Sequence, residues 1–302
     1  MDSNDTPARP SATQAQAPRA AGQYYMEAKA ANTRIAWRAA LKDFAAVLKV
    51  DPATLSPHRI TDATLCVYVE ARTGIHKPAT ITARASILRS MAEDAGVPVV
   101  GRHHRDALTV LRRREGVRPR QAKGHPLDAY YRALALCPDT PLGRRDAALL
   151  ALATCTAARG AELLSYRFED VDREARTILL RRSKTDQTGE GRLQHLSPDA
   201  MKAIAVWGEI AVLTDGPILR RVSRGGKPGP ALSMSGLKTI VKRLLGPDYS
   251  THSIRVGFVQ AAVENGCALP EITLTTGQSP ATIQRYAEKA DQRKSAAARL
   301  LG

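Results

Sequence analysis

The amino-acid sequence predicts a mainly α-helical chain in two domains, with a small β-hairpin set into the second. Three observations carry that expectation. At 302 residues the chain is past the size at which one hydrophobic core goes on growing. Its hydrophobic residues, 43% of the total with aromatics at only 4%, recur at helical spacing in Ala- and Leu-rich runs on both sides of a basic stretch interrupted by Pro and Gly. One segment, Arg176 to Leu196, changes to the pattern and turn chemistry of strands.

Met1 to Ala21 is rich in Ala, Pro, Ser and Gln and lacks the apolar centre of a secretory signal, so residues 1–22 read as a disordered tail. Residues 23–115 form a helical first domain. Ala30 to Val50 carries Ile35, Trp37, Leu41, Phe44, Val47 and Leu48 on roughly one stripe, and Asp51-Pro52 ends it. Thr61 to Arg72 is a second helix, with Asp62 near its start and Gly74 past its end. Pro78 to Ala95 is a third, closed by Gly96, and Arg105 to Arg114 a fourth. Gly116 to Pro126 lacks apolar periodicity and marks a linker over residues 116–127. Residues 128–302 form the second domain. Arg144 to Tyr166 is a long helical stretch broken near Thr154 to Gly160. Thr177 to Leu180 and Arg192 to Leu196 flank the turn residues Asp186 to Gly191, which makes a hairpin with Lys184 close to its tip. Helices follow at Pro198 to Leu213, Ser233 to Leu245, Thr251 to Glu264 and Pro280 to Lys289, then a short amphipathic segment at Gln292 to Leu301.

Lys and Arg outnumber Asp and Glu by 45 to 29, a formal charge of +16. That surplus points to a polyanionic partner, nucleic acid before an acidic membrane surface. Arg102, Arg105, Arg112, Arg113, Arg114, Arg118, Arg120 and Lys123 stand against Asp106 and Glu115 around the linker. Such a run is a solvated face in many proteins; at a hinge it suits a strap across a phosphate backbone. The longest apolar runs fall short of the 18 or so residues a membrane span needs. Cys66, Cys137, Cys155 and Cys267 show no C-x-x-C pairing and read as reduced thiols of a cytoplasmic protein. No H-x-x-x-H, P-loop or G-x-G-x-x-G is present, so no metal or cofactor is expected. Any phosphoryl chemistry would then rest on side-chain cations.

Those cations occur in a fixed order. Arg159 lies in Thr-Ala-Ala-Arg-Gly-Ala-Glu, Lys184 in Arg-Ser-Lys-Thr, His252 and Arg255 in His-Ser-Ile-Arg, and Tyr286 in Gln-Arg-Tyr-Ala. Arg159 sits among small residues that would let a nucleic-acid backbone approach, and a guanidinium grips two phosphate oxygens at once. Glu162, three residues on, can hold Arg159 or a nearby histidine. His252 and Arg255, also three apart, share a helix face just after the capping residues Ser250-Thr251. Lys184 can donate a proton to a leaving oxygen, and a Tyr286 phenol flanked by cations can act as nucleophile. Each piece alone has a plainer reading: a surface Arg, an exposed Lys, a self-capping His, a core Tyr. The ordered set on a basic chain points to metal-independent cutting and rejoining of DNA.

On these motifs the chain resembles the tyrosine recombinases, or phage integrase family. Ala158-Arg159-Gly160-Ala161-Glu162-Leu163, Lys184, His252-Ser253-Ile254-Arg255 and Gln284-Arg285-Tyr286 match the family in order. His252 to Gly257, Pro270-Glu271-Ile272 and Ala298 to Leu301 look most like its Cre-like members. The resemblance covers residues 128–302 by motif and residues 23–114 by helical content. It implies a C-shaped clamp on double-stranded DNA that performs site-specific recombination in the prokaryotic nucleoid, of the kind mobile elements use. It also implies a homo-tetramer on paired sites and a monomer or dimer on one, with Gln292 to Leu301 docking on a neighbouring protomer. Arg159 and Arg255 would clamp the scissile phosphate, Lys184 would protonate the 5′-oxygen, His252 would assist proton transfer, Tyr286 would form a 3′-phosphotyrosyl link, and Glu162 would support the site. Two departures stand out. Gln278 occupies the place of the family's usual His or Trp after Gly277, and the run from Gly277 to Tyr286 is one residue short. Slow or conditional activity is the expectation that follows. A type IB topoisomerase-like enzyme and a catalytically weak DNA-binding relative stay open as alternatives.

Overall fold

The computed structural model describes residues 31–115, 122–183 and 191–287, and the chain divides into two compact units, Met1–Pro119 and Arg120–Gly302. The expected tail, Arg118, Arg120, Lys184 and the segment Gln292 to Leu301 lie outside the described residues.

Among the described residues of the first unit, four α-helices follow one another: α1 (Ala31–Leu48), α2 (Asp62–Arg72), α3 (Pro78–Asp94) and α4 (His103–Glu115). Trp37, Ala40 and Phe44 recur at helical spacing and are buried, so α1 presents one apolar stripe to Leu65, Tyr68, Ile81, Leu88 and Leu108. Thr61 and Thr64 exchange side-chain and backbone bonds that start α2, and Pro78 sits in the first turn of α3, where a missing N–H costs nothing. Two carboxylates, a partly buried Asp43 and a buried Asp62, tie the bundle. Asp43 on α1 accepts from Tyr68 Oη at 2.7 Å, Arg72 Nε at 2.8 Å and Arg84 Nη1 at 2.6 Å. Burial works to raise its pKa, but these donors more than offset it and hold the carboxyl below its ordinary range. Asp62 at the start of α2 accepts from the backbone N–H groups of His103 and His104 at 3.0 and 3.1 Å and so caps α4.

The second unit holds α5 (Leu127–Ala135), α6 (Pro141–Thr156), α7 (Gly160–Ser165), β1 (Val171–Asp172), β2 (Thr177–Leu180), β3 (Arg192–His195) and α8 (Pro198–Ala211). Then come β4 (Arg220–Val222), β5 (Pro228–Ala231), α9 (Met234–Leu245), α10 (Thr251–Glu264), α11 (Leu269–Thr276) and α12 (Pro280–Ala287). Strands β1, β2 and β3 form an antiparallel sheet in that order, with Leu180 opposite Arg192 and Thr177 opposite His195. The core gathers Leu149, Leu152, Leu163, Tyr166, Ile178, Trp207, Leu237 and Val241 from the sheet and the helices around it. The four cysteines carry free thiols. Among the described residues no helix is long and apolar enough to cross a membrane.

Several elements exceed the sequence expectation, the short β1 among them. α5 begins one residue after the Pro126 of the expected linker, and at nine residues it is too short for its period to stand out. α11 begins Leu-Pro-Glu, where Pro270 reads as a breaker but serves as a first-turn residue. The β4–β5 pair is built from Arg-Arg-Val and Pro-Gly-Pro-Ala, which lack strand propensity, so cross-strand bonds rather than residue type define it. The break expected near Thr154 to Gly160 is present: α6 ends at Thr156 and α7 starts at Gly160.

Candidate active site

Two helix ends of the same design meet at the side chain of Arg255. α6 ends in Thr156 and then Ala157 at φ 47°, while α11 ends in Thr276 and then Gly277 at φ 61°. Each threonine folds its hydroxyl back onto its own helix, Thr156 Oγ1 to Leu152 O at 2.6 Å and Thr276 Oγ1 to Ile272 O at 2.7 Å. Each hydroxyl then accepts the N–H two residues on, from Ala158 at 3.3 Å and Gln278 at 3.2 Å. Left-handed backbone is easy for glycine but costs alanine roughly 1 kcal/mol, so Ala157 is strained. The return is a carbonyl aimed inward. Arg255, 1% exposed, donates Nη1–H to Ala157 O and Nη2–H to Thr276 O, both at 2.6 Å. The negative ends of two helix dipoles thus hold a guanidinium whose other N–H donors stay available.

Arg255 lies on α10, a helix buried over Ser253 to Gly257 and Val259. Ser250 and Ser253 cap its start reciprocally. Its far side is pinned by the chain entering the unit: His125 donates its N–H to Ser253 O at 3.0 Å. Gly257 is required there, because a Cβ at that position would overlap His125 O. Burial, reinforced by the charge of Arg159, pushes the Arg255 guanidinium down to about 10, still protonated at neutral pH.

Arg159 stands just before α7. Glu162 accepts its backbone N–H at 2.8 Å and its Nη1–H at 2.7 Å, so one carboxylate fixes both main chain and guanidinium. Glu162 is buried, whereas a third of the Arg159 side chain reaches solvent. The pair is therefore an anchored cation facing outward rather than a floating surface ion pair.

One turn before Arg255, His252 Nε2 lies 3.0 Å from Tyr286 Oη. Partial burial of the ring, then the charges of Arg255 and Arg159, hold the His252 imidazole below its ordinary range. A neutral ring with its proton on Nδ1 accepts the phenol proton at Nε2. Tyr286 sits on α12, whose Ile283 packs with Val259 and Ile272 and thereby seats that helix on α10 and α11.

The structure thus brings together Arg159, Glu162, His252, Arg255 and Tyr286. Gln278 follows the α11 end directly and is buried, and its Oε1 has no hydrogen-bond partner among the described residues. Arg112, Arg113 and Arg114 form the exposed last turn of α4 in the other unit, and Lys123 lies over the Tyr249 ring, 5.6 Å from its centroid. Sequence reasoning missed two residues of β3. Gln194 donates Nε2–H to Thr156 O at 2.9 Å and Thr275 O at 3.0 Å, bracing the two helix ends that hold Arg255. Arg192 shares that strand face. The legible signal was the repeated Thr two residues before Ala158 and Gln278; nothing in the sequence singled out β3.

The phage integrase family model matches residues 127–293. A curated relative, an integrase/recombinase xerD homolog of Selenomonas ruminantium, is 28% identical over 77% of this chain and 76% of its own length. Tyrosine recombinase XerC of Bifidobacterium longum is 28% identical over 49% of this chain and 44% of its own. Among solved structures, the Tn1549 transposon integrase in complex with transposon right end DNA superposes at TM-score 0.65 and 12% identity, over 93% of this chain and 98% of that one. A lambda integrase tetramer bound to a Holliday junction does so at TM-score 0.55 and 15% identity, over 86% and 76%. With its helices, its three-stranded sheet and its site carried by the matched stretch, the chain belongs to the phage integrase family, the tyrosine recombinases.

Proposed function

We propose that this chain is a site-specific DNA recombinase that cleaves and rejoins duplex DNA through a 3′-phosphotyrosyl link, without metal or ATP. The observation that carries the reading is the bond between His252 and Tyr286 beside the buried Arg255. Arg255 and Arg159 grip the non-bridging oxygens of the scissile phosphate. Tyr286 Oη attacks phosphorus while its proton passes to His252, an O–P bond forms, and the bond to the 5′-oxygen breaks. Lys184, outside the described residues, protonates that leaving oxygen. A 5′-hydroxyl from another strand reverses the step, so the phosphodiester energy is conserved. Glu162 keeps Arg159 in place, and Gln278 offers an amide N–H where related sites carry a stronger donor, which makes turnover slow or conditional.

The working partner is double-stranded DNA, engaged by a tetramer on paired sites and by a monomer or dimer on one. The lambda integrase neighbour, a tetramer on a Holliday junction, supports this by its likeness in fold. Gln292 to Leu301 would join protomers. The place of action would be the cytoplasm of a prokaryote, on its nucleoid. The test is trapping on nicked duplexes carrying the inverted repeats that flank the coding region. Covalent protein–DNA adduct supports the reading. Absence of adduct on every such site favours a binding-only protein, and relaxation of plasmid without a paired site favours a topoisomerase.

Two further outcomes are expected. Because the His252 pKa lies below 6.5 in the free protein, the base is present at neutral pH and is lost only as pH falls through that lowered value. The second-order rate of adduct formation should hold through the ordinary imidazole range and fall only at lower pH. His252→Gln should remove that acid limb, and an unchanged limb in the variant assigns the titration elsewhere. Changing Arg112, Arg113 and Arg114 to Gln should weaken binding to all sequences alike. If each meets a phosphate, the log–log salt slope becomes shallower by about 2.7 in total. An unchanged slope would make the run a solvated face.

A further inference from the structure

β3 leaves the hairpin tip with Arg192 paired to Leu180, and its side chains alternate: Leu193 and His195 are exposed, whereas Gln194 is buried. Arg192 is two residues from Gln194 and so projects from the same face, towards the α11 end that Gln194 braces. Its guanidinium lies against Gly277. A Cβ at that glycine would overlap Arg192 Nη1 and stand 3.1 Å from Cζ, so Gly277 serves both the left-handed turn and the approach of this cation. Arg192 Nε and Nη2 are shut off from solvent and have no hydrogen-bond partner among the described residues. An arginine cannot escape by losing its proton. Buried guanidinium donors left unmade destabilise a free protein, and the penalty is larger beside other cations. Arg192 does stand beside one, since its charge acts on Arg255. The charges of Arg159 and Arg192 thus both act on Arg255, and the nearby Glu162 carboxylate opposes them.

We infer that Arg192 is a third phosphate-binding arginine of this site, whose two unmade donors are completed by an oxygen of the bound phosphate. The anion is DNA phosphate if the recombinase reading holds, and inorganic phosphate serves as probe in either case. Gly277 is the positioning residue that makes room for it. The arrangement also answers the Gln278 departure: a neutral amide at that position leaves the adjacent charge to be supplied from β3.

The test uses the full chain and the variants Arg192→Met, Arg192→Lys and Gly277→Ala. In phosphate-free buffer Arg192→Met should melt at or above the wild-type temperature, because an apolar side chain replaces a buried, unpartnered cation. Added inorganic phosphate, at constant ionic strength against chloride, should raise the wild-type melting temperature and raise that of Arg192→Met much less. Phosphate affinity should fall about 10-fold or more in Arg192→Met, with Arg192→Lys intermediate. On nicked duplexes adduct formation should fall about 100-fold in Arg192→Met and comparably in Gly277→Ala, with DNA affinity within about 3-fold. A melting temperature that falls in Arg192→Met, phosphate binding unchanged by it, or no phosphate effect on the wild type overturns the inference. A wild type that binds phosphate through Arg192 but traps no DNA leaves the anion site standing and sinks the recombinase reading instead.

Discussion

Tyr286→Phe is expected to abolish covalent adduct on nicked DNA while leaving binding to the same duplex within about 3-fold. The change removes one oxygen from a half-buried side chain on α12 and leaves the packing of Ile283 on Val259 and Ile272 intact. Nothing else changes in the grip on the phosphate, so affinity should persist. The chemistry should not, because the proposed link forms at that oxygen. Removing a nucleophile that acts together with its base has cost about 10⁶-fold in other hydrolytic sites, so trapping should fall to background. A second readout separates the nucleophile from a merely nearby tyrosine. His252 loses its 3.0 Å partner in the variant, so its imidazole titration, followed by NMR, should shift although the protein remains folded. Adduct that persists in Tyr286→Phe would place the nucleophile elsewhere.

Helices with full periodicity were legible. Phe44 falls where the apolar stripe of α1 requires, α2 and α3 were marked by Asp62, Gly74 and Gly96 at their ends, and the stop before Arg159 was visible as a run of small residues. The spacing of His252 and Arg255 correctly put both on one helix face. What the spacing hid was direction. Arg255 reads as a solvated arginine by composition, yet it is buried because two helix ends present carbonyls to it. Those carbonyls belong to Ala157 and Thr276, 98 and 21 residues away from Arg255 in the chain, and backbone acceptors leave no mark in a sequence. Gln194 and Arg192 were missed for a related reason. A four-residue strand offers two side chains per face, too few for an alternation to declare which face meets the site.

Arg255 also carries the second large expected effect, on activity and stability together. Arg255→Lys should lower adduct formation about 10³-fold, since one ammonium cannot bond two helix-end carbonyls and fork a phosphate at once. Arg255→Ala should lose at least as much and should also loosen the site. Two opposing terms decide the size of that second effect. Removing the guanidinium relieves its burial and its repulsion with Arg159 and Arg192, the influences that lower its pKa. Against this, the carbonyls of Ala157 and Thr276 lose their partner at the negative ends of α6 and α11, and a buried cavity opens between them. Each orphaned carbonyl costs about 1–3 kcal/mol and the cavity adds to it, whereas the nearby Glu162 carboxylate already softens the repulsion. The carbonyl and cavity terms win, by about 2 kcal/mol, which is about 4–8 °C in melting temperature for a unit of this size. The Lys variant, which keeps a donor within reach of the carbonyls, should melt within a few degrees of wild type while remaining inactive. Were Arg255→Ala to melt higher than wild type, the buried charge would outweigh the helix ends. The Ala157 strain would then need another cause.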